Sequence, residues 1–424
     1  MISYNTRLLY TMMLTGTLSM RLRYVMNDPI DGAILTEAVR ETTKIRYPYI
    51  MKKLVVEDGK FVYQANDLPV PVMATTYPQP QYGTPETNFH MILVDYEENR
   101  ICFNMCHNIS AGRGMMRWAL SCLVAYVEKK YGVALKCENI RRWDQTPGAG
   151  EDFVEPFDNL PDLERTWKGY PADIKPVLPT QLETMLPGAA GDGLYETTFR
   201  MKSADVMKQV KAYHTSPAAY FGVLLYRSLI AQMDEIPVAL NLGVACDSSE
   251  GLGLQETMSL ITRFLHVVVT KEEAALSDEE LCQKGRTLMK EQMDPAIMVE
   301  ILKKEKASLT EMESIPDLKG KAAYYMQHSI LFDLVPSVLV SYLGKYELGD
   351  LENYLTTLNV AGASFGRGIA ICGVKDLFEV SFLHQKKEND PTVQAFRLAI
   401  ENAGIPVELD VTVPQNNVGL AFPA

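Results

Sequence analysis

The amino-acid sequence has 424 residues, of which 47% are hydrophobic and 22% are charged, and its formal net charge at pH 7 is -12. This composition is typical of folded proteins and excludes disordered and fibrous classes, while the length suits two lobes better than one core. The negative charge repels phosphate backbones and no basic stripe offsets it, so we expect no nucleic-acid partner.

Neither a targeting segment nor a metal site is predicted. The opening Met-Ile-Ser-Tyr-Asn-Thr-Arg lacks the regions of a secretory leader, and no stretch approaches about 20 apolar residues. We therefore expect a cytoplasmic protein without a membrane span. The seven cysteines are scattered and the six histidines lack ligand spacing, which predicts reduced core thiols and no bound metal.

The chain opens with a predicted strand and helix. Residues 17–24 alternate polar and apolar side chains, which is the period of a half-buried strand. Asp31 can cap the following helix, and Pro48 ends it. The same strand-then-helix order recurs from Tyr195 onward.

A predicted hairpin leads to the most informative segment. Residues 90–96 and 101–107 form its arms, and a polar, glycine-containing turn follows the second arm. A helix from about Met115 to Lys130 comes next, with Gly132 just past its end. The turn therefore lies between a strand and a helix.

A stretch rich in proline and glycine, from about residue 141 to 193, separates two halves of the chain. We therefore predict an N-terminal lobe at 1–150, a crossover linker at 151–194 and a C-terminal lobe at 195–424. Because each half opens with a strand and then a helix, we expect two similar α/β lobes.

Residues Cys106–Gly112 read Cys-His-Asn-Ile-Ser-Ala-Gly and carry the main functional signal. They resemble the His-x-x-x-Asp-Gly motif of the chloramphenicol acetyltransferase and condensation-domain superfamily, with His107 at the catalytic base and Gly112 at the glycine. The likeness extends over most of the chain and is closest to bacterial alcohol-acetyltransferase-like proteins. Other segments that carry it include 30–48, 124–132 and 237–242.

The resemblance implies two chloramphenicol-acetyltransferase-like lobes around an interlobe tunnel. Each would be a two-layer α/β sandwich with a mixed, largely antiparallel sheet. The residues expected at the motif loop or along the tunnel are Arg46, Cys106, Asn108, Ser110, Ala111, Gly112, Asn241, Phe365 and Gly366.

Three positions depart from the family pattern. Cys106 stands where many members have a first histidine, Ala111 replaces the aspartate, and Gly243 replaces an arginine that follows Asn-Leu. In the superfamily the aspartate pairs with an arginine that shapes the loop, and Arg46 corresponds to it by position. Losing one partner of a buried pair costs about 3–5 kcal/mol, so we expect Arg46 to be exposed, moved or paired elsewhere.

Two other roles near the motif can be weighed. Cys106 and His107 are neighbours on a strand and point to opposite faces, so a cysteine-histidine dyad is excluded. Ser110 either satisfies its own turn or stabilises an oxyanion. The methyl group of Ala111 invites apolar neighbours to close around it, so a carboxylate there is expected to be destabilising.

An imidazole with a pKa near neutrality can take a proton from a hydroxyl or amine as that group attacks an acyl thioester. The resemblance therefore implies an acyltransferase with His107 as general base. Its co-substrate would be an acyl-CoA such as acetyl-CoA, or a carrier-protein thioester, its acceptor a small alcohol or amine, and no cofactor would be bound tightly. The alternative is a non-catalytic scaffold or binding protein, which Ala111 and Gly243 favour. An open tunnel at His107 would support the enzyme, and a plugged tunnel the scaffold.

Overall fold

Strands and helices follow each other in the order expected of two α/β lobes. The computed structural model describes residues 2–16, 18–158, 160–165, 174–187, 194–329, 334–361, 366–385, 390–409, 413–414 and 418–423. The strands are β1 Ser19–Met26, β2 Lys52–Glu57, β3 Lys60–Ala65, β4 Val72–Ala74, β5 Ile92–Glu97, β6 Arg100–Cys106, β7 Tyr195–Lys202, β8 Ala239–Asp247, β9 Thr262–Thr270, β10 Val338–Tyr346, β11 Leu355–Ala361, β12 Gly368–Val374, β13 Leu377–His384, β14 Glu408–Leu409 and β15 Val413–Pro414. The helices are α1 Arg7–Thr15, α2 Gly32–Arg46, α3 Gly112–Tyr131, α4 Pro179–Met185, α5 Ser203–Ala212, α6 Pro217–Ile230, α7 Asp278–Gln292, α8 Pro295–Met312, α9 Leu318–His328 and α10 Pro391–Asn402.

The first sheet takes strands from both halves of the chain. Its order is β11-β1-β6-β5-β4, in which the β4–β5 pair is parallel and the others are antiparallel. Leu22 of β1 lies opposite Phe103 of β6 on one side and Val360 of β11 on the other. A strand of the second half therefore completes the sheet that the first half begins.

Helices α2 and α3 pack on one face of this sheet. The Trp118 ring packs edge-on against Phe103 with centroids 5.2 Å apart, and its indole N–H donates to Thr43 Oγ1 at 2.9 Å. The Asp31 carboxylate caps α2 by accepting from two first-turn amides, and Gly132 ends α3 with a φ of 65°. Both predicted boundary signals are confirmed.

Strand β1 is buried on both faces, which its alternation did not predict. Arg21 lies 3.3 Å from the Asp95 carboxylate on β5, and Arg23 lies 3.6 Å from Glu196 on β7. The polar face meets the second lobe instead of solvent. Its arginines therefore form buried or nearly buried ion pairs, one of which joins the two sheets.

The second sheet has the order β14-β7-β13-β12-β10-β8-β9, and β15 also pairs with β7. The β8–β10 and β10–β12 pairs are parallel and the others antiparallel. Phe396 of α10 packs against Phe199 and Phe382 on the sheet, with ring centroids 5.3 Å apart in both cases. These contacts belong to a separate core in the second lobe.

Strands β8 and β10 separate before they end. They pair from Leu242 and Val338 to Ala245 and Ser341, after which both strands continue without pairing to each other. The space between their ends faces the first lobe and borders the cavity described below.

Helices α1, α8 and α9 pack in the first core, although α8 and α9 come late in the sequence. Tyr10 of α1 contacts Phe61 of the β2–β3 hairpin, with ring centroids 5.0 Å apart. Neither α1 nor this hairpin was predicted from the sequence.

The observed architecture confirms the expected fold class: two lobes with mixed, largely antiparallel sheets and a cavity between them. The boundaries at 1–150, 151–194 and 195–424 stay a prediction. Within the described ranges, no helix has both the length and the apolar composition needed to cross a bilayer.

Candidate active site

His107 directly follows β6 and is held through its backbone and its ring. Its N–H donates to the Leu18 carbonyl oxygen at 2.8 Å, which ties it to the start of β1. Its ring Nδ1 lies 3.0 Å from the carbonyl oxygen of Ser110. Because a carbonyl oxygen only accepts, Nδ1 carries the hydrogen of the neutral ring and Nε2 keeps its lone pair.

The surroundings of His107 favour the neutral ring. Burial lowers the pKa of His107 below its ordinary value, and the charge of Arg7 lowers it further, while the hydrogen bond to Ser110 partly offsets both effects. A general base must be unprotonated at the working pH. His107 therefore has the protonation state that proton abstraction at neutral pH requires.

A cavity of about 480 Å³ lies between the lobes, and His107 forms part of its wall. This volume is within the roughly 300–1,000 Å³ typical of small-molecule sites. Most of the lining is apolar and comes from several elements of both sheets, among them β1, β9, β10 and β12. The charged residues on the wall are Arg7, Arg113, Asp247, Glu250 and Arg263.

Three motif residues shape the loop and lie outside the cavity wall. Cys106 is fully buried, 3.9 Å from Met12 Sδ, and burial raises the pKa of its thiol to about 12. The amide of Asn108 donates to the Asn5 carbonyl oxygen at 2.7 Å. Ser110 Oγ donates to the Met258 carbonyl oxygen at 2.8 Å, so it ties the loop to a segment distant in the sequence, which is neither the expected bond within its own turn nor a contact with the cavity.

Ala111 and Gly112 do line the cavity. Ala111 is the N-cap residue of α3, and its methyl group cannot accept from the first-turn amides. A Cβ on Gly112 would lie 3.0 Å from Leu343 Cδ2 and 3.4 Å from Met20 Cε, so the glycine lets α3 approach both β1 and β10. Gly114, which sequence analysis missed, is packed more tightly still.

Arg46 finds its partner away from the motif loop. Its guanidinium lies 2.7 Å from the Glu151 carboxylate and donates to the Thr146 carbonyl oxygen at 2.7 Å. Arg141 also lies 3.2 Å from Glu151. Of the three possibilities raised by the missing aspartate, the structure therefore has the third, another acceptor for a buried arginine.

Asn241 of β8 is fully buried and is not part of the cavity wall. Its amide lies 2.8 Å from His266 Nδ1 and 3.2 Å from the Val335 carbonyl oxygen. Two residues on, a Cβ at Gly243 would overlap the Pro336 ring. The arginine found there in the superfamily has no room in this backbone arrangement.

Phe365 lies outside the described residues. Gly366 packs against Pro179, and a Cβ added at Gly366 would lie 3.0 Å from the Cβ of Pro179. The next residue, Arg367, is buried and binds the Asp390 carboxylate through two contacts of 3.0 and 2.9 Å. It also lies 3.0 Å from Glu183 of α4. This segment therefore links α4 to the start of α10.

Several cavity residues were missed because their positions depend on contacts between distant segments. Arg7 and Thr11, one turn apart on α1, both line the wall. Arg113 Nε lies 3.0 Å from Asp247 Oδ2, which joins α3 to β8 across the lobes. No motif or local period marks these residues in the sequence.

No protein-family model and no curated protein sequence matches the chain. Solved structures do match it over most of its length. TRI101 of F. sporotrichioides, solved with coenzyme A and T-2, is 12% identical, with a TM-score of 0.60, and the match covers 96% of this chain and 99% of that one.

Two further structures show the same likeness. A mutant starter condensation domain of rhizomide synthetase, solved with C8-CoA and Leu-SNAC, is 11% identical, with a TM-score of 0.59, covering 99% of this chain and 97% of that one. Polyketide synthase associated protein 5 from Mycobacterium tuberculosis is 10% identical, with a TM-score of 0.59 and coverages of 95% and 97%. The chain therefore shares the two-lobed fold of these proteins.

Proposed function

We propose that the protein is an acyltransferase that moves an acyl group from an acyl-CoA to an alcohol or amine, with His107 as general base. The observation that supports this most is the Nδ1 bond to the Ser110 carbonyl oxygen, which leaves the Nε2 lone pair on a ring that borders the interlobe cavity. Fold neighbours solved with coenzyme A or C8-CoA support a CoA thioester as the donor.

The proposed reaction needs one proton carrier. Nε2 of His107 takes the proton of the acceptor hydroxyl or amine as that atom attacks the thioester carbonyl carbon. The tetrahedral intermediate then collapses, its carbon–sulfur bond breaks, and the CoA thiolate takes the proton back from Nε2. The ester or amide and free CoA are the products, and His107 returns to its neutral form.

The start of α3 can stabilise the oxyanion of this intermediate. The helix has no side-chain cap, no acidic residue in its first turn, and its first residues, Gly112 and Arg113, line the cavity. First-turn amides have no intrahelical acceptor and carry the positive end of the helix dipole. They would therefore donate to an oxygen that becomes negative beside His107.

The experiment is a comparison of wild type with His107→Ala for thiol release from acetyl-CoA in the presence of a panel of alcohols and amines. We expect the variant to lose at least about 10²-fold in rate, because a positioned base contributes this much. His328→Ala is the control, since His328 is exposed and is not among the residues that line the cavity. Equal rates for wild type and His107→Ala would remove His107 from the mechanism.

The pH profile gives an independent readout. The pKa of His107 is lowered, so with an alcohol as acceptor kcat/KM should be level from pH 7 to 8 and fall as the pH drops below 6.5 and the base becomes protonated. A rate that rises with pH above 7 would contradict this assignment. An acyl carrier-protein thioester in place of acetyl-CoA tests the condensation-type version of the reaction.

The scaffold alternative rests on Ala111 and Gly243. Against it, Arg46 has Glu151 as a replacement acceptor, so the missing aspartate leaves no uncompensated buried charge. The cavity of about 480 Å³ at His107 is also open rather than filled by side chains. Both observations support the enzyme, and failure of every donor and acceptor in the assay would favour the scaffold.

A further inference from the structure

The charged residues of the cavity wall are not evenly distributed. Asp247 and Glu250 are exposed to solvent, and Asp247 pairs with Arg113. Arg7 and Arg263 also line the cavity but are only 2% and 4% exposed. The acids therefore lie toward solvent, and the buried charges on the wall are cations.

The Arg7 guanidinium is held rigidly by its neighbours. Nη1 donates to the Tyr4 carbonyl oxygen at 2.9 Å and Nη2 to the Leu260 carbonyl oxygen at 3.1 Å, while the Tyr4 ring centroid lies 3.5 Å from Cζ. Each Nη carries two hydrogens, so one N–H on each remains after these bonds. A fixed fork of this kind is suited to a carboxylate.

Glu305 supplies the countercharge without a hydrogen bond to the fork. Its Oε1 lies 3.7 Å from Arg7 Nε, beyond hydrogen-bond distance, and Nε has no hydrogen-bond partner within the described part of the chain. The Glu305 oxygens instead accept from the Tyr325 hydroxyl and from Ser329 Oγ. Glu305 thus offsets the charge of Arg7 without taking up its two remaining Nη hydrogens, and Arg7 lines the cavity.

We propose that the substrate group next to His107 carries a carboxylate and that Arg7 binds it. The inference rests on the proposed acyltransferase function and names its substrate class. The carboxylate belongs to a hydroxy-acid or amino-acid acceptor, or to the free end of a dicarboxylic acyl thioester. A neutral substrate would leave the remaining Arg7 donors without an acceptor in the mainly apolar cavity. Because unpaired buried donors cost free energy, the site should bind a neutral substrate more weakly than its carboxylate counterpart.

Matched substrate pairs test the inference. 2-Hydroxybutyrate is compared with 2-hydroxybutanamide as acceptor for acetyl-CoA, and succinyl-CoA is compared with butyryl-CoA as donor to a neutral alcohol. We expect wild type to prefer the acid of one pair about tenfold or more in kcat/KM. The pair that shows the preference identifies whether acceptor or donor carries the carboxylate.

Variants assign that preference to Arg7. Arg7→Gln would leave Glu305 buried without a cation, so the double variant Arg7→Gln/Glu305→Gln removes both charges together. It should lose the preference through a higher KM for the acid. Arg46→Gln/Glu151→Gln is the matched control, because it removes another buried pair that lies off the cavity wall, and it should keep the preference.

A binding measurement separates this inference from the proposed function. The unfolding temperature of His107→Ala is measured with 2-hydroxybutyrate, 2-hydroxybutanamide, succinyl-CoA and butyryl-CoA. An acid-specific rise that disappears when the Arg7→Gln/Glu305→Gln changes are added supports the carboxylate site, even if wild type transfers no acyl group. Equal responses to acid and neutral partner in both pairs, or a preference that survives in the double variant, would overturn it.

Discussion

Ala111→Asp tests the chemistry of the α3 N-terminus. Ala111 has the extended backbone of an N-cap residue (φ -82°, ψ 174°) and lines the cavity. An aspartate there can accept from the amide of Arg113 or Gly114, which is what N-cap carboxylates do. The sequence alone favoured destabilisation, because apolar neighbours were expected to close around the methyl group, whereas in the structure Ala111 borders an open cavity.

The expected increase in the free energy of unfolding of Ala111→Asp can be estimated from these contacts. An N-cap acceptor in place of alanine stabilises a helix by about 0.5–2 kcal/mol, and a charge at the positive end of the dipole adds about 0.3–1 kcal/mol. Partial desolvation of the carboxylate offsets some of this gain. We expect the free energy of unfolding of Ala111→Asp to rise by about 1 kcal/mol at pH 7.

Urea unfolding followed by circular dichroism measures this change, with Ala111→Asn as the uncharged cap. Asp should exceed Asn at pH 7, and its advantage should be lost as the pH falls below about 4, because protonation removes the charge. A variant Ala111→Asp that unfolds at lower urea than wild type, while Ala111→Asn does not, would refute the reasoning and show that the carboxylate is desolvated.

Three further predictions concern stability. Gly114→Ala should lower the free energy of unfolding by about 1–3 kcal/mol, because the new Cβ would overlap Ser110 Oγ and Met258 Sδ. Gly222→Ala, whose Cβ would have neighbours 3.7 Å away, should instead stabilise α6 by up to about 1 kcal/mol. The urea midpoints of the two variants measure the difference. Glu151→Ala should lower the free energy of unfolding by about 3–5 kcal/mol in the same assay, because it removes the carboxylate that pairs with the buried Arg46. Arg46→Met/Glu151→Leu, which removes both charges, should lower it less. Equal losses in the two variants would contradict a role for the ion pair in stability. Burial lowers the pKa of His266 to about 3, so the free energy of unfolding should fall by roughly 2–3 kcal/mol between pH 7 and 4.5, and His266→Gln should flatten that dependence.

Local signals account for the parts of the fold that the sequence predicted. Asp31 and Gly132 act within one turn of their helices, so their effects can be seen without knowing the tertiary structure. The β2–β3 hairpin, which was not predicted, also has such a signal, since Asp58 and Gly59 form its two-residue turn with φ of 49° and 67°. Helix α1 has no side-chain cap and could not be identified this way.

The candidate site likewise contains residues with a local sequence signal and residues without one. His107 could be predicted from a motif, whereas the Ser110 carbonyl oxygen that sets its tautomer depends on the folded turn. The acceptor of Arg46 is Glu151, more than a hundred residues away, and Arg7 reaches the cavity from a helix without sequence signals. Long-range contacts of this kind require the tertiary structure.

The late position of strand β11 in the sequence affects how the first sheet can fold during synthesis. During synthesis β1 and β6 leave the ribosome long before residues 355–361, so one edge of β1 stays unpaired until most of the second lobe exists. Unpaired strand edges are templates for aggregation. A fragment that ends near residue 150 would keep that edge permanently open, so the first lobe should not be obtainable as a soluble, independently folded domain.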